Sequence, residues 1–372
     1  MEELLRMIGT IHDCRQQAKV RHKLVDVFVI VLFATLANAN EWEEIEEFAK
    51  EYEDFIREYV ELENGVPSHD TIERVMAIIS PKELGKVQIK WKEVMVSEEG
   101  EKIKKVISID GKTMRGNSGK EHKANHIVSA WCDEDGFCLG EEKVDEKSNE
   151  ITAIPVLLDR INVKNSIVTI DAMGTQTTIV DSIRRNKADY VLAVKENQHN
   201  LYAEISQYLN DMDFRKEIRE KGQYVKQTEK SHGQSETREY YQTEEIGWMH
   251  EKKRWRGIKS IGCVEKTIVR NGEKIVETRY YISSLGEDVE QFARAVRQHW
   301  SVEIMHWHLD VTFKEDANKT IEEVAAQNMN IIRKWCLSIL KLLDMGKSIS
   351  LKRKRYKISL NPCKYIKQIM EI

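Results

Sequence analysis

Proline is scarce. There are four prolines and 18 glycines in 372 residues, which excludes collagen-like and low-complexity chains. The six cysteines (Cys14, Cys132, Cys138, Cys263, Cys336 and Cys363) never form a CxxC pair. That spacing speaks against a cysteine-based zinc site. A chain of this length needs no disulfide staples, so a reducing, cytoplasmic compartment is expected. Long apolar runs are also missing. The longest, Val27 to Ala37 (VFVIVLFATLA), is well short of the ~20 residues a membrane span needs. It starts behind Lys19, Arg21 and Lys23, too late for an ordinary signal peptide. A buried helix and no membrane partner are expected. Nor is there an excess of charge: 58 Lys+Arg against 62 Asp+Glu give −4, which as a total argues against a dedicated nucleic-acid binder.

What is present is a foldable chain, 41% hydrophobic and 32% charged. That is enough for a sizeable core and for two or three domains at ~150 residues each. The charge is segregated. Residues 41–63 hold eleven acids and two bases, and residues 333–372 hold eleven bases and two acids. These two blocks cancel, so the net charge excludes nothing. The acidic block carries Trp42, Ile45, Phe48, Tyr52 and Phe55 at helical spacing, so its apolar stripe packs and its acids face water. The run LKRKRYK (351–357) reads either as a nucleic-acid contact or as a solvated basic tail.

Residues 1–95 read as helical. In GVPSHDTIERV, Ser68 is placed to cap a short helix. That helix is either a helix-turn-helix recognition element or, more simply, part of a bundle. From about residue 104 strands appear: VISID (106–110), a hairpin 126–144 around Asp133 to Gly136, SIVTID (166–171) and YVLAVK (190–195). Helices follow at 150–161, 177–185 and 201–209. Three strands and then alternating helices and strands make an α/β mixed sheet covered by helices. Residues 226–285 read as a β-rich insertion, and 289–313 and 321–343 as helices.

Two of these strands end in the same way, at Asp110 and Asp171. Acids at carboxyl ends of strands in open α/β sheets favour chemistry, and a hard cation such as Mg²⁺ takes oxygen ligands. Singly, each could simply cap a turn. In the late helix, Glu303, His306 and Asp310 share a face with His299. Glu303 sits among Trp300, Val302, Ile304, Met305 and Trp307, a costly place for an unpaired carboxylate. Three readings arise: Glu303 completes a site with Asp110 and Asp171; His299, Glu303 and His306 form a separate transition-metal site; or these groups satisfy one another. The first accounts for the most residues.

The motifs SIDGKTMRG, TIDAMGTQ, AVKENQ, SHGQSETREYY, RYYISSL and VRQHWSVEIMHWHLDVTFKED occur in that order, behind EWEEIEEFA and GVPSHDTIERV. In these the chain resembles insertion-sequence transposases of the DDE type, of the H-repeat-associated branch, over nearly its whole length. The resemblance implies a ribonuclease H-like fold, with Asp110, Asp171 and Glu303 as catalytic and metal-binding residues. It implies two Mg²⁺ or Mn²⁺ ions, double-stranded DNA ends and target DNA as partners, and a homodimer on paired ends. It divides the chain into a helical, candidate DNA-binding domain (1–95), a catalytic domain (96–345, with the insertion 226–285) and a basic carboxyl-terminal tail (346–372). Further DNA contacts are expected from Lys112, Arg115, Lys195, Asn197, Gln198, His232, Arg238, His299 and Trp300. Where related hairpin-forming transposases carry tyrosine, arginine and lysine around the glutamate, this chain has Val296, His299 and Asp310. Gln234 follows His-Gly in place of arginine, and Ile304 replaces asparagine. The alternative function is a transposase-derived DNA-binding protein without catalysis.

Overall fold

A computed structural model describes residues 2–96, 103–119, 123–145, 148–231, 234–270, 273–346 and 348–371. Its centre is one nine-stranded sheet in the order β3-β2-β1-β4-β5-β9-β8-β7-β6. The strands are β1 (Val106–Thr113), β2 (His126–Cys132), β3 (Phe137–Lys143), β4 (Ile167–Ile170), β5 (Asp189–Val194), β6 (Tyr224–Ser231), β7 (Gln234–Thr243), β8 (Ser260–Arg270) and β9 (Glu273–Ser283). β1, β2 and β3 form an antiparallel meander, and β4 and β5 extend it in parallel from β1.

The expected β-rich insertion at 226–285 is not a body apart. β9 pairs antiparallel with β5, from Val191↔Ser283 to Val194↔Tyr280, so β6 to β9 continue the sheet. The insertion's first strand, β6, starts two residues earlier than expected, and a helix Met212–Glu220 precedes it. That helix was not expected, since it is polar.

Period-two alternation assigns the two faces of the sheet. Ile107, Ile109, Val168, Ile170, Tyr190 and Leu192 pack with the helices Glu150–Arg160, Thr177–Arg185 and His199–Asn210. Val106, Ile167 and Val191 point the other way, onto Phe292, Ala293 and Ala295 of the helix Val289–Trp307. Asp288 caps that helix through Gln291 N (2.9 Å). Beyond Trp307 it continues as a π-turn, His308–Thr312.

The chain ends share a third core. The helix Leu24–Leu36 is apolar on every side and buried at every position but Val25, as such a helix must be. It packs on the helix Glu323–Leu342, with Phe28 and Trp335 rings 5.5 Å apart. Trp42, Ile45 and Phe55 of the acidic block join this core, as do Trp131, Phe137, Val302 and Met305. So do Ile358, Ile366 and Ile369. Residues 346–372 were expected to form a basic tail. The described part instead forms the helices Leu351–Leu360 and Pro362–Met370, docked by those isoleucines and by the buried Arg355. Apolar residues spaced among the bases explain the difference.

Ser68 does precede the helix His69–Ile78, but its hydroxyl meets Thr71 Oγ1 (3.1 Å), and Glu46 accepts the His69 N–H (2.7 Å). The exposed side of this helix carries Asp70 and Arg74 with Glu73 between them, and Asn328 Nδ2 donates to Met76 O and Ile79 O at its end. It is a bundle helix and lacks the basic surface of a recognition element. Among the described residues no helix is long and apolar enough to cross a membrane.

Candidate active site

β1 and β4 are in register with Ile109 opposite Ile170. One step on stand Asp110 and Asp171, on neighbouring parallel strands ~4.8 Å apart. Asp171 follows the end of β4, whereas β1, expected to end at Asp110, runs on to Thr113 because its pairing with β2 continues. Each falls on the same alternation as Val106 and Ile167, the face covered by the helix Val289–Trp307. Two bonds seat that helix: Ser108 Oγ donates to Gln298 O (3.1 Å), and His299 Nδ1 meets Thr169 Oγ1 (3.1 Å). Glu303, one turn beyond His299, then lines a cleft of about 930 Å³ together with Asp110 and Asp171. Lys195, Asn197, Glu277, Arg279, Tyr280 and Trp300 complete much of its wall.

The electrostatics of this cleft are those of crowded acids. Burial and the negative charge of Asp110 push the Glu303 carboxyl above its ordinary range, against weaker pulls from Arg279 and His306. Burial holds His299 below the usual imidazole range, although Asp110 and Asp171 pull it upward, so the ring is neutral at pH 7. His306 Nδ1 lies 3.4 Å from Asp110 Oδ2. Asp171 Oδ1 accepts Gly174 N (3.1 Å), so the turn-capping reading and the cleft reading hold together. Among the described residues no three His, Cys, Asp or Glu side chains stand close enough to enclose one ion. The donor set nevertheless suits a hard cation: five carboxylates line the cleft, Asp110, Asp171 and Glu303 among them, and Glu303 is raised by burial and by the charge of Asp110, which a cation among them would relieve. The separate site on His299, Glu303 and His306 is not formed, since His299 is tied to Thr169 and His306 faces Asp110.

The expected DNA contacts divide into groups. Lys195 and Trp300 line the cleft. Trp300 is 38% exposed and has Arg279 and Lys266 within 5.6 and 5.9 Å of its ring. Arg115 has an exposed side chain, and its backbone N–H donates to Asp316 Oδ1 (3.2 Å). Lys112 is held by acids: its Nζ sits 2.8 Å from Asp310, 3.0 Å from Glu315 and 3.0 Å from Asp316. Asn197 and Gln198 donate to Ala172 O and Thr175 O, clamping the loop behind Asp171. Arg238 is paired with Glu229 and Glu236. His299 points inward, and His232 lies outside the described residues. Arg279 was not singled out, although RYYISSL contains it; its position beside a buried Tyr280–Tyr281 pair was the available signal.

A meander followed by two parallel strands, with acids at matching positions on adjacent strands and a helix laid across them, defines the ribonuclease H-like class. The chain belongs to the DDE transposases: the family described as "Transposase DDE domain" matches residues 101–339, and "DDE_Tnp_1-associated" matches residues 5–92. It is 39% identical to "Putative transposase YncI" of Escherichia coli O157:H7, over all of this chain and 95% of that one. It is 37% identical to "H repeat-associated putative transposase YhhI" of Escherichia coli K12, over 97% of this chain and 96% of that one. A cryo-EM structure of a piggyBac transposase synaptic complex with hairpin DNA aligns with all of this chain and 78% of its own, at a TM-score of 0.43 and 11% identity.

Proposed function

We propose that this chain cuts DNA at the ends of an insertion sequence and transfers the freed 3′ ends to target DNA. The observation that carries this reading is the alternation and register that bring Asp110 and Asp171 from adjacent strands under the helix of Glu303. Asp110, Asp171 and Glu303 would hold two Mg²⁺ or Mn²⁺ ions. When bound, such ions polarise a phosphate and make water a nucleophile at neutral pH. The chain's own residues do the rest. Lys195 and Arg279 offset phosphate charge at the wall of the cleft. Trp300 offers a face on which an unpaired base stacks. Thr169 orients His299, which stays neutral and fills the space between the helix and the two strands. Asn197 and Gln198 hold the loop that follows Asp171. Residues 96–345 carry the chemistry, and residues 1–95 brace it from behind. Two element ends must be handled together, so the working form is a homodimer on DNA, in the cytoplasm at the nucleoid.

Incubation with element-end duplex and Mg²⁺ or Mn²⁺ tests the reading. Strand cleavage is expected, and Asp110→Ala, Asp171→Ala and Glu303→Ala should each reduce it to background. Tight end binding without cutting in either metal would transfer the protein to the alternative, a transposase-derived DNA-binding protein. Cutting that survives Asp110→Ala would remove the acid trio from the mechanism.

A further inference from the structure

The basic carboxyl-terminal segment is a docked helix with two unlike sides. Inward, Lys354 Nζ donates to Leu340 O (2.7 Å) and Leu343 O (2.6 Å), the open carbonyl end of the helix Glu323–Leu342. Arg355 Nε and Nη2 donate to Thr35 O (3.1 and 2.6 Å), Nη1 donates to Thr312 O, and the guanidinium stacks 4.3 Å from the centre of the Phe313 ring. Outward stand Lys352, Arg353, Tyr356, Lys357 and Leu360, spaced to share one helical face. Tyr356 and Leu360 are 60% and 66% exposed. Among the described residues Lys352, Arg353 and Lys357 have no carboxylate partner. Lys364 adds a fourth exposed cation from the next helix, whereas Lys367 is paired with Glu58 (2.9 Å).

We propose that this face is a second DNA-binding surface, which grips the sugar-phosphate backbone of the duplex outside the cleft. The inference rests on the DNA reading above. Five carboxylates line the cleft against the cations Lys195 and Arg279, so much of the affinity must come from cations elsewhere, and phosphate contacts supply most of non-specific DNA affinity. Lys112 and Arg238, the nearer candidates, are already paired with acids. Arg355 fixes the face to Thr312, nine residues beyond Glu303 in the same continuous helical segment, or about 14 Å at 1.5 Å per residue. This spacing is well under one turn of DNA (~34 Å), short enough for one duplex to reach both the cleft and the docked helix. The exposed Tyr356 and Leu360 add apolar contact for deoxyribose between the cations.

The test is DNA affinity of the full-length chain as a function of salt, by fluorescence anisotropy on a duplex of about 40 base pairs. Lys352, Arg353 and Lys357 are changed together to Gln, and in a second variant to Glu. The slope of log affinity against log salt should become shallower by about 3 in the Gln variant, at ~0.9 per phosphate contact. Binding at low salt should weaken about 10-fold or more, and further in the Glu variant, with melting temperature unchanged. An unchanged slope in a chain whose parent binds DNA would overturn this surface alone. Failure of the parent to bind DNA at all would overturn both this surface and the proposed function. An unchanged slope with a change in sedimentation would assign the face to the acidic surface of a second copy instead.

Discussion

At the scale of single residues, the cleft is a balance of like charges held by neighbours. Burial and Asp110 raise the Glu303 carboxyl. A raised carboxyl binds its proton more tightly folded than unfolded, so its contribution to stability is complete in acid and is lost as pH rises through the folded value. Glu303→Gln should therefore melt slightly higher than the parent at pH 7 without metal, and the difference should close near pH 4, about the unfolded glutamate value. Calorimetry across that range checks the sign. Lys112 is the opposite case. Burial alone would raise Glu315, but Lys112 and Arg333 outweigh it and keep that carboxyl below its usual range. Lys112→Met removes the cation from beside Asp310, Glu315 and Asp316 and should cost about 3–5 kcal/mol in denaturant unfolding. Asp110, Asp171 and Glu303 could be picked out as candidates in the sequence because strand alternation and helix-face positions follow from local periodicity, although the end of β1 was misplaced. The partners of Lys112 were not, since they lie about two hundred positions away along the chain.

At the scale of elements, most strands and helices were readable and their adjacency was not. The alternation in VISID and SIVTID gave β1 and β4, and the apolar run 27–37 gave a buried helix. The pairing of β9 with β5 joins segments separated by helices and a hairpin, and no local pattern encodes which edge a distant strand will extend. β6 falls within the segment read as β-rich, but no separate strand was marked there because it alternates weakly and its apolar content is low. Close contacts between elements are equally non-local. Gly116, in the turn Arg115–Asn117, lies so near the segment Glu315–Asn318 that a Cβ would stand 2.1 Å from Asn318 O and 2.8 Å from Asp316 O. Both are backbone atoms and cannot swing aside. Gly116→Ala should destabilise by about 1–3 kcal/mol, read from the urea midpoint at constant slope. It should also slow cleavage, because the same segment holds Lys112.

At the scale of the whole molecule, the two ends of the chain complete each other. The opening helices bury their faces against the helix Glu323–Leu342, and Arg355 closes the carbonyls of Thr35 and Ala39. Ile358, Ile366 and Ile369 are buried in the same core. At ~1.5–3 kcal/mol each they contribute about 5–9 kcal/mol, comparable to the ~5–15 kcal/mol net stability of a protein. A chain ending at Met345 should lose cooperative melting and bind hydrophobic dye, while the full chain does neither. The sequence marked 346–372 by its charge, and that charge hid the apolar stripe beneath it. There is also a consequence for synthesis. Leu36 leaves the ribosome 319 residues before Arg355, roughly 15–60 s earlier at ~5–20 residues per second. Through that interval the first helices lack Arg355, Ile358, Ile366 and Ile369 as partners, and they should become protease-resistant only when residues 349–372 are released. Nascent chains arrested before residue 350 should be cut within 24–62, and chains arrested about 40 residues beyond residue 372, so that it is clear of the exit tunnel, should resist.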